Sequence, residues 1–368
     1  MFSLHVDTAR TWRGGQQQVR LTVDGLRAAG QRAALVAHPR GELYRRADGE
    51  PDLFPLAAAG ELDLGAAWRM SRLLRRLRPD VVHAHDAHAL ALAAAGVALA
   101  GGGRPRLAAS RRVDFHLHRN PLSRWKYRRA DRFLCASDAI RRMLIEDGVP
   151  AGRVAVVYEG VDVDRIAELP ALDVHRELGL PEGAPIVGNI AALVPHKGQP
   201  HLLDAAARVV AEVPDARFVI VGAGELHDAL AAQIARLGLE RHVVLTGFRT
   251  DALSLLKGFD VFVMSSVTEG LGTSVLDAMA CGRPVVATRA GGIPESVVDG
   301  ETGLLVPVRD PAALASAVLR LLRDRALRQA LGPAGRVRAR ARFSAARMVA
   351  ETTAVYEALT GSRSEAHD

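Results

Sequence analysis

The feature that most constrains this chain is an alternation of short apolar runs with helix-period segments, carried through twice. Residues 2–6 read as a strand, a polar loop containing Gly14 and Gly15 leads into a helix-period stretch that stops at Gly30, and residues 33–37 read as a second strand. Further strands fall at 81–84, 106–110, 132–136 and 154–158, with helical segments such as 138–146 between them. Strands separated by helices cannot pair as hairpins. They form a mostly parallel sheet covered on both faces.

A polar, acidic, turn-rich stretch at 160–185 interrupts the pattern, which restarts with strands at 186–191, 217–221, 243–246, 261–265 and 284–288, helices between them, and a last apolar run, LLVP, at 304–307. At 368 residues the chain exceeds what one core normally serves. The expected fold is therefore α/β, with two doubly wound Rossmann-like domains. We place them at 1–166 and 167–346, with a C-terminal helix at about 347–362 packing back on the first. In such sheets ligands bind beyond the carboxyl ends of the strands, so polar residues immediately after strands are the candidates.

Bulk properties exclude several classes. Residues 1–166 carry 27 Lys and Arg against 18 Asp and Glu, while the remainder carries 21 against 23. The densest basic pieces are RMSRLLRRLRPD (69–80) and SRWKYRR (123–129). These faces are solvated surface or a surface for an anionic membrane or phosphate-bearing lipid. No recognition module accompanies them, so nucleic acid is not an expected partner. Cys135 and Cys281 stand in apolar contexts without metal or redox spacing and read as inert thiols. The N-terminus lacks a signal-peptide pattern and the alanine-rich run 87–103 falls short of a spanning helix. The expected location is cytoplasmic, with peripheral contact at the inner face of the membrane.

The richest strand-end is VTEGLGTSVLDAMACGRPVVAT (267–288). Glu269 lies on the loop, Gly270 and Gly272 flank Leu271 and let the backbone approach a ligand, and Thr273 and Ser274 are placed to cap the helix. Its free N–H groups and positive dipole end suit phosphate oxygens. Asp277 lies one turn further on. The second cluster, AALVPHKGQP (191–200), puts Lys197 at a helix start, where an ammonium opposes the dipole and calls for an anionic partner. Lys197 is one of only three lysines among 48 basic residues. Gly247, Phe248 and Arg249 in LTGFRTD also follow a strand and could line a base or ribose pocket, whereas VGAGELHD lacks the third glycine of a dinucleotide fingerprint. In the first half, Gly14 and Gly15 precede a helix N-terminus. VHAHDAHA and RRVDFHLHRN hold His83, His85, His88, His116 and His118 without the cysteines or spaced carboxylates of a zinc site, so no metal is expected and most of these histidines read as structural.

Taken together, the EGLGTSVLDAMACGRPVVAT segment, the PHKG turn, the N-terminal GG loop, YEGVDVDR (158–165) and AGGIPESVVDGETGLLVP (290–307) resemble the retaining glycosyltransferases of family 4, over nearly the whole chain. The resemblance implies the GT-B architecture, with a cleft between the two domains and closure across the linker. It implies a nucleoside-diphosphate-sugar donor, a glycan or lipid-linked acceptor on the N-terminal side, and no cofactor. Carried onto this chain, Glu269 would hold donor-sugar hydroxyls, the backbone of Gly272, Thr273 and Ser274 would receive the diphosphate, Lys197 would neutralise it, and Gly15 would approach from the first domain. Two positions depart from the pattern. Asp277 stands where a ribose-gripping glutamate is usual, and Ala192 where an arginine is, which leaves a phosphate partner to be supplied by Arg249 or an N-domain arginine. The family's N-domain histidine has three candidates, Arg112, Asp114 and His116, of which His116 ranks first.

Cleavage of the anomeric bond develops negative charge on the leaving diphosphate, which Lys197 and a helix start would stabilise before chemistry begins. Same-face attack, with a phosphate oxygen taking the acceptor proton, dispenses with an Asp-x-Asp metal box; Asp162 and Asp164 read as turn chemistry in the linker. The alternatives are a nucleotide-sugar epimerase of the same architecture and a non-catalytic binding protein with a degenerate site.

Overall fold

The structure, a computed structural model, describes residues 1–101, 103–117 and 120–361. The chain divides into two compact units. One comprises Met1–Gly160 with the C-terminal segment from Ala345, and the other Val161–Ser344.

The first unit is built on seven parallel strands: β1 (Phe2–Asp7), β2 (Arg32–Ala37), β3 (Leu53–Pro55), β4 (Val81–Ala84), β5 (Arg106–Arg111), β6 (Arg132–Cys135) and β7 (Val154–Val156), in the order β3-β2-β1-β4-β5-β6-β7. The edge strand β3 is absent from the sequence reading because it is only three residues long and ends in a proline, leaving almost no periodic signal. Strand faces are covered on both sides, so Leu4, Val6, Leu35 and Val82 are all inaccessible. The alanine-rich run forms helix Ala87–Ala100, capped by Asp86 accepting from the Ala89 amide at 2.8 Å. The C-terminal helix Ala345–Gly361 lies on helix Gly14–Ala28. A Cβ on Gly25 would come within 2.4 Å of Val349, so the missing side chain sets how closely these helices approach.

The second unit has six parallel strands: β8 (Ile186–Ile190), β9 (Arg217–Val221), β10 (Val243–Gly247), β11 (Val261–Met264), β12 (Val285–Thr288) and β13 (Leu304–Val306), in the order β10-β9-β8-β11-β12-β13. The turn-rich stretch after Gly160 contributes two short helices, Val163–Glu168 and Val174–Leu178, started by Asp162 and Asp173. In both sheets the strand order reverses beside the first strand, between β1 and β4 and between β8 and β11. A crevice forms at the carboxyl edge there because the flanking crossovers depart to opposite sides.

Gly188 marks how tightly the second core closes. A Cβ there would lie 1.9 Å from the buried Phe259 ring. Gly188→Ala is expected to destabilise the second unit by about 1–3 kcal/mol or more through overpacking, measured by urea unfolding. A change below about 0.5 kcal/mol would show that the ring moves freely aside.

Candidate active site

In the second unit the site forms where β8 and β11 end. The PHKG turn is a single 3-10 turn, Pro195–Lys197, closed by Gly198 at φ +67°. A side chain on Gly198 would place its Cβ 2.1 Å from the Ser265 carbonyl oxygen, so only glycine lets this turn lie on the end of β11. The contact is fastened by Ser265 Oγ donating to the Lys197 carbonyl (3.0 Å) and the Val267 amide donating to the His196 carbonyl (2.8 Å). Lys197 is thereby carried to Glu269, 72 residues away. Its Nζ lies 2.5 Å from Glu269 Oε2, with side chains 18% and 11% exposed, and Ser266 Oγ donates to the same oxygen at 3.0 Å. The anionic partner that a lysine at a helix start demands is supplied by the chain itself.

The loop then turns at Gly272, whose φ of +88° puts it in the left-handed region, and helix Thr273–Ala280 begins. The expected capping by Thr273 or Ser274 does not occur. Gly272 is the capping residue, no side chain closes the helix, and the amides of Thr273 and Ser274 have no partner among the described residues. These are groups that an anion can satisfy. The loop is held from beneath by buried Leu271, whose carbonyl accepts from Ser296 Oγ (3.3 Å), and by the Gly292 amide donating to the Glu269 carbonyl (3.1 Å). Gly272 lies beside the Glu269 stem, where an added Cβ would sit 3.5 Å from its Cγ. Gly270 completes the turn between them. Lys197, Glu269 and the helix start therefore share one locality, whereas half-buried Asp277 has the Cys281 thiol as an electrostatic neighbour one turn further on.

Other candidates divide. Gly247 ends β10 at φ +71°, its carbonyl accepting from the Gly222 amide, and Phe248 is 57% exposed. Arg249 is not available to replace the arginine missing at Ala192. Its guanidinium bonds Asp251 at 2.6 and 2.8 Å and Glu177 at 2.7 Å, so two carboxylates already compensate it. Gln199 donates instead to the Ala192 carbonyl. Burial pushes both thiols, Cys135 and Cys281, up to about 12, out of reach of thiolate chemistry at neutral pH.

In the first unit Gly14 opens its helix, and the space over Gly15 is open. His116 lies away from the switch point. It is 69% exposed, holds Asp147 at 2.9 Å, and shares a shallow pocket with Asp114, Arg142 and Glu146. His118 lies outside the described residues. Arg112, by contrast, directly follows β5, with both terminal nitrogens 3.2 Å from His85 Nδ1 and its Nε 3.4 Å from Glu159. His83 and His85 are satisfied and buried, as expected of structural histidines. The sequence reading missed His5, which stacks on His85, and Asp7, which ends β1 and accepts from the Gln16 amide at 3.2 Å. A signal existed. Ser3 with His5 and His83 with His85 each repeat at spacing two on neighbouring strands, so the parallel register His5↔His83 puts them on one face.

Three ligand nitrogens of His5, His83 and His85 come within 4.8 Å of one another. The geometry would admit a cation, but the electrostatics oppose it, because each ring is already hydrogen-bonded and a guanidinium abuts His85.

The comparisons with known proteins agree with this architecture. Residues 12–165 match the family described as Glycosyltransferase Family 4 and residues 172–338 that described as Glycosyl transferases group 1. A GDP-mannose-dependent alpha-(1-6)-phosphatidylinositol monomannoside mannosyltransferase of Mycolicibacterium smegmatis is 34% identical over 73% of this chain and 74% of its own length. The putative glycosyltransferase EpsD of Bacillus subtilis is 31% identical over 79% of each. Among solved structures, HepE of Anabaena in complex with UDP superposes with a TM-score of 0.84 at 23% identity, covering 97% of this chain and all of its own. Two parallel sheets with these strand orders define the GT-B fold. The chain belongs to the family 4, group 1 glycosyltransferases.

The histidines yield a pH prediction. Burial presses His5 down to about 3 and His83 and His85 well below the usual 6.5, so all three are neutral in the native unit. The unfolded chain then binds more protons below pH 6.5, and stability drains away as pH falls from there toward 3. Asp7, raised to about 6 by burial and by Asp86, works in the opposite sense between about 4 and 6 but is one group against three. All three tryptophans (Trp12, Trp68, Trp125) lie in this unit. Urea midpoints read by tryptophan fluorescence should fall between pH 7 and pH 5; a flat or rising midpoint would contradict neutral burial.

Proposed function

We propose that this transferase moves a sugar, with retention, from a nucleoside-diphosphate sugar to a lipid-linked or cell-envelope glycan acceptor, without a metal ion. The observation that carries the reading is the Lys197–Glu269 pair beside a helix start with unpartnered amides. Without ligand the two charges compensate each other. A diphosphate takes the ammonium as its counter-ion and lodges its oxygens on the Thr273 and Ser274 amides, which frees the Glu269 carboxylate to accept hydrogen bonds from sugar hydroxyls. As the anomeric bond breaks, charge grows on the oxygens already facing Lys197 and the helix dipole, so stabilisation needs little reorganisation. The leaving phosphate takes the acceptor proton on the same face. The mannosyltransferase relative uses GDP-mannose by name and HepE was seen with UDP; this supports a nucleoside diphosphate without choosing the base.

For the acceptor, the surface of the first unit is informative. Among the described residues no helix is long and apolar enough to cross a membrane. Leu62, Leu64 and Trp68, at 73%, 79% and 54%, are exposed large apolar side chains at the start of helix Leu64–Leu77, which also carries Arg69, Arg72, Arg75 and Arg76. Apolar anchors interleaved with arginines suit an anionic lipid surface.

Lys197→Ala and Glu269→Gln should each lower transfer from UDP- or GDP-sugars by about 10²–10³-fold with the thermal unfolding profile retained. Full activity in both would refute the reading, and a new sugar isomer released from donor alone would turn it into an epimerase. Vesicles containing phosphatidylglycerol should co-sediment the protein at low salt, and Trp68→Glu should release it. Equal binding to neutral vesicles would remove the electrostatic part of the argument.

A further inference from the structure

We infer that Arg338 is a positioning residue of the donor site: it braces the loop 269–272 through the single-turn helix Ile293–Ser296, and so sets where the Glu269 carboxylate and the Thr273 and Ser274 amides are held. This rests on the transferase reading of that site and adds to it a residue that acts through others.

The support begins in the sequence. In GPAGRVR (332–338) two glycines and an arginine recur at spacing three inside helix Arg325–Arg342, so they share one face. A Cβ on Gly332 would come 2.3 Å from the Gly282 carbonyl oxygen, and one on Gly335 would sit 3.5 Å from Met279 Cγ. The missing side chains let the long helix lie against helix Thr273–Ala280, whose start holds the open amides, and against the turn that follows it. Arg338 is the next position on that face. Its Nε donates to the Ser296 carbonyl at 2.7 Å and its Nη2 to the Glu295 carbonyl at 2.8 Å. The guanidinium lies over the buried ring of Phe343, 5.8 Å from its centroid, and Phe343 is itself fixed by the Val161 amide donating to its carbonyl at 2.8 Å.

Helix Ile293–Ser296 depends on these bonds. One turn does not sustain itself, because its last carbonyls lack partners within the helix and nucleation costs more than a single turn returns. Ser296 is inaccessible, so its carbonyl cannot turn to water instead. From this turn three contacts reach the donor loop. The Gly292 amide donates to the Glu269 carbonyl (3.1 Å), Ser296 Oγ donates to the Leu271 carbonyl (3.3 Å), and Ile293 packs beside Gly272, its Cγ1 3.5 Å from where a Cβ there would sit. The loop hangs from one turn of helix, and that turn from one guanidinium. The consequence is selective. Gly332 and Gly335 hold the long helix without Arg338, so the fold survives its loss, while the loop loses the fixed end of its brace. A shift of about 1 Å caused far from the chemistry can cost about 10²-fold.

The test uses the full chain with UDP, GDP, ADP and dTDP as probes, read by calorimetry. Arg338→Ala should weaken binding of whichever diphosphate the unsubstituted chain takes by about tenfold or more, and Arg338→Lys, able to serve one carbonyl of the two, should recover part of the loss. Ser296→Ala removes a single atom and should weaken binding about three- to tenfold, with little further loss when combined with Arg338→Ala, since both cut the same link. In deuterated protein the amide signals of Thr273 and Ser274 should move in Arg338→Lys and in Ser296→Ala. They should stay in place in Arg340→Ala, which removes only a surface pair with Asp164 on the same helix. Unmoved signals in Arg338→Lys, or binding within twofold of the unsubstituted chain in Ser296→Ala, would overturn the positioning role even if Arg338→Ala failed to fold, and would leave the loss in Lys197→Ala standing. No diphosphate bound by the unsubstituted chain would overturn the transferase reading and this inference with it.

Discussion

The site in the second unit depends on a backbone approach that only glycine permits. Gly198, in a left-handed conformation and hard against the Ser265 carbonyl, lets the 195–198 turn rest on the end of β11. Everything chemical follows from that contact, since it sets Lys197 Nζ on the Glu269 carboxylate beside the start of a helix. A partly buried ion pair contributes little net stability once desolvation is counted. In the proposed reaction its value would lie in exchange. The ammonium would pass to a diphosphate while donor hydroxyls hydrogen-bond the carboxylate it leaves.

The first unit solves a different problem. Polar rings lie in its sheet interior, where parallel strands usually carry only aliphatic side chains. Their cost is offset because every hydrogen-bonding nitrogen has a partner, and a network satisfied in this way specifies one packing more sharply than aliphatic contacts do. It also ties the C-terminal helix, through Tyr356, to the central strands β1 and β4.

Much of this was legible in the sequence. Alternation of apolar runs with helical periods located the strands of both sheets, apart from the three-residue β3, because parallel strands buried on two faces leave continuous apolar runs. The strand-end rule found Lys197 and Glu269 as separate candidates, but no sequence pattern could say that they touch across 72 residues. Helix-start chemistry was misread at Thr273 and Ser274, since a glycine with positive φ replaced a hydroxyl cap and left the amides open. Arg249 looked available until Asp251 and Glu177 proved to hold it. His5 went unread because a single polar residue in an apolar strand carries no weight until its neighbour in register is known.

The proposed chemistry requires a diphosphate to bind where Lys197, Glu269 and the Thr273 and Ser274 amides meet. A crystal structure of the chain with a nucleoside diphosphate tests this most directly. It should show phosphate oxygens within hydrogen-bonding distance of both amides, and Lys197 Nζ moved from Glu269 onto the phosphate. A nucleotide bound elsewhere, with the Lys197–Glu269 pair intact and the helix start still unoccupied, would contradict it.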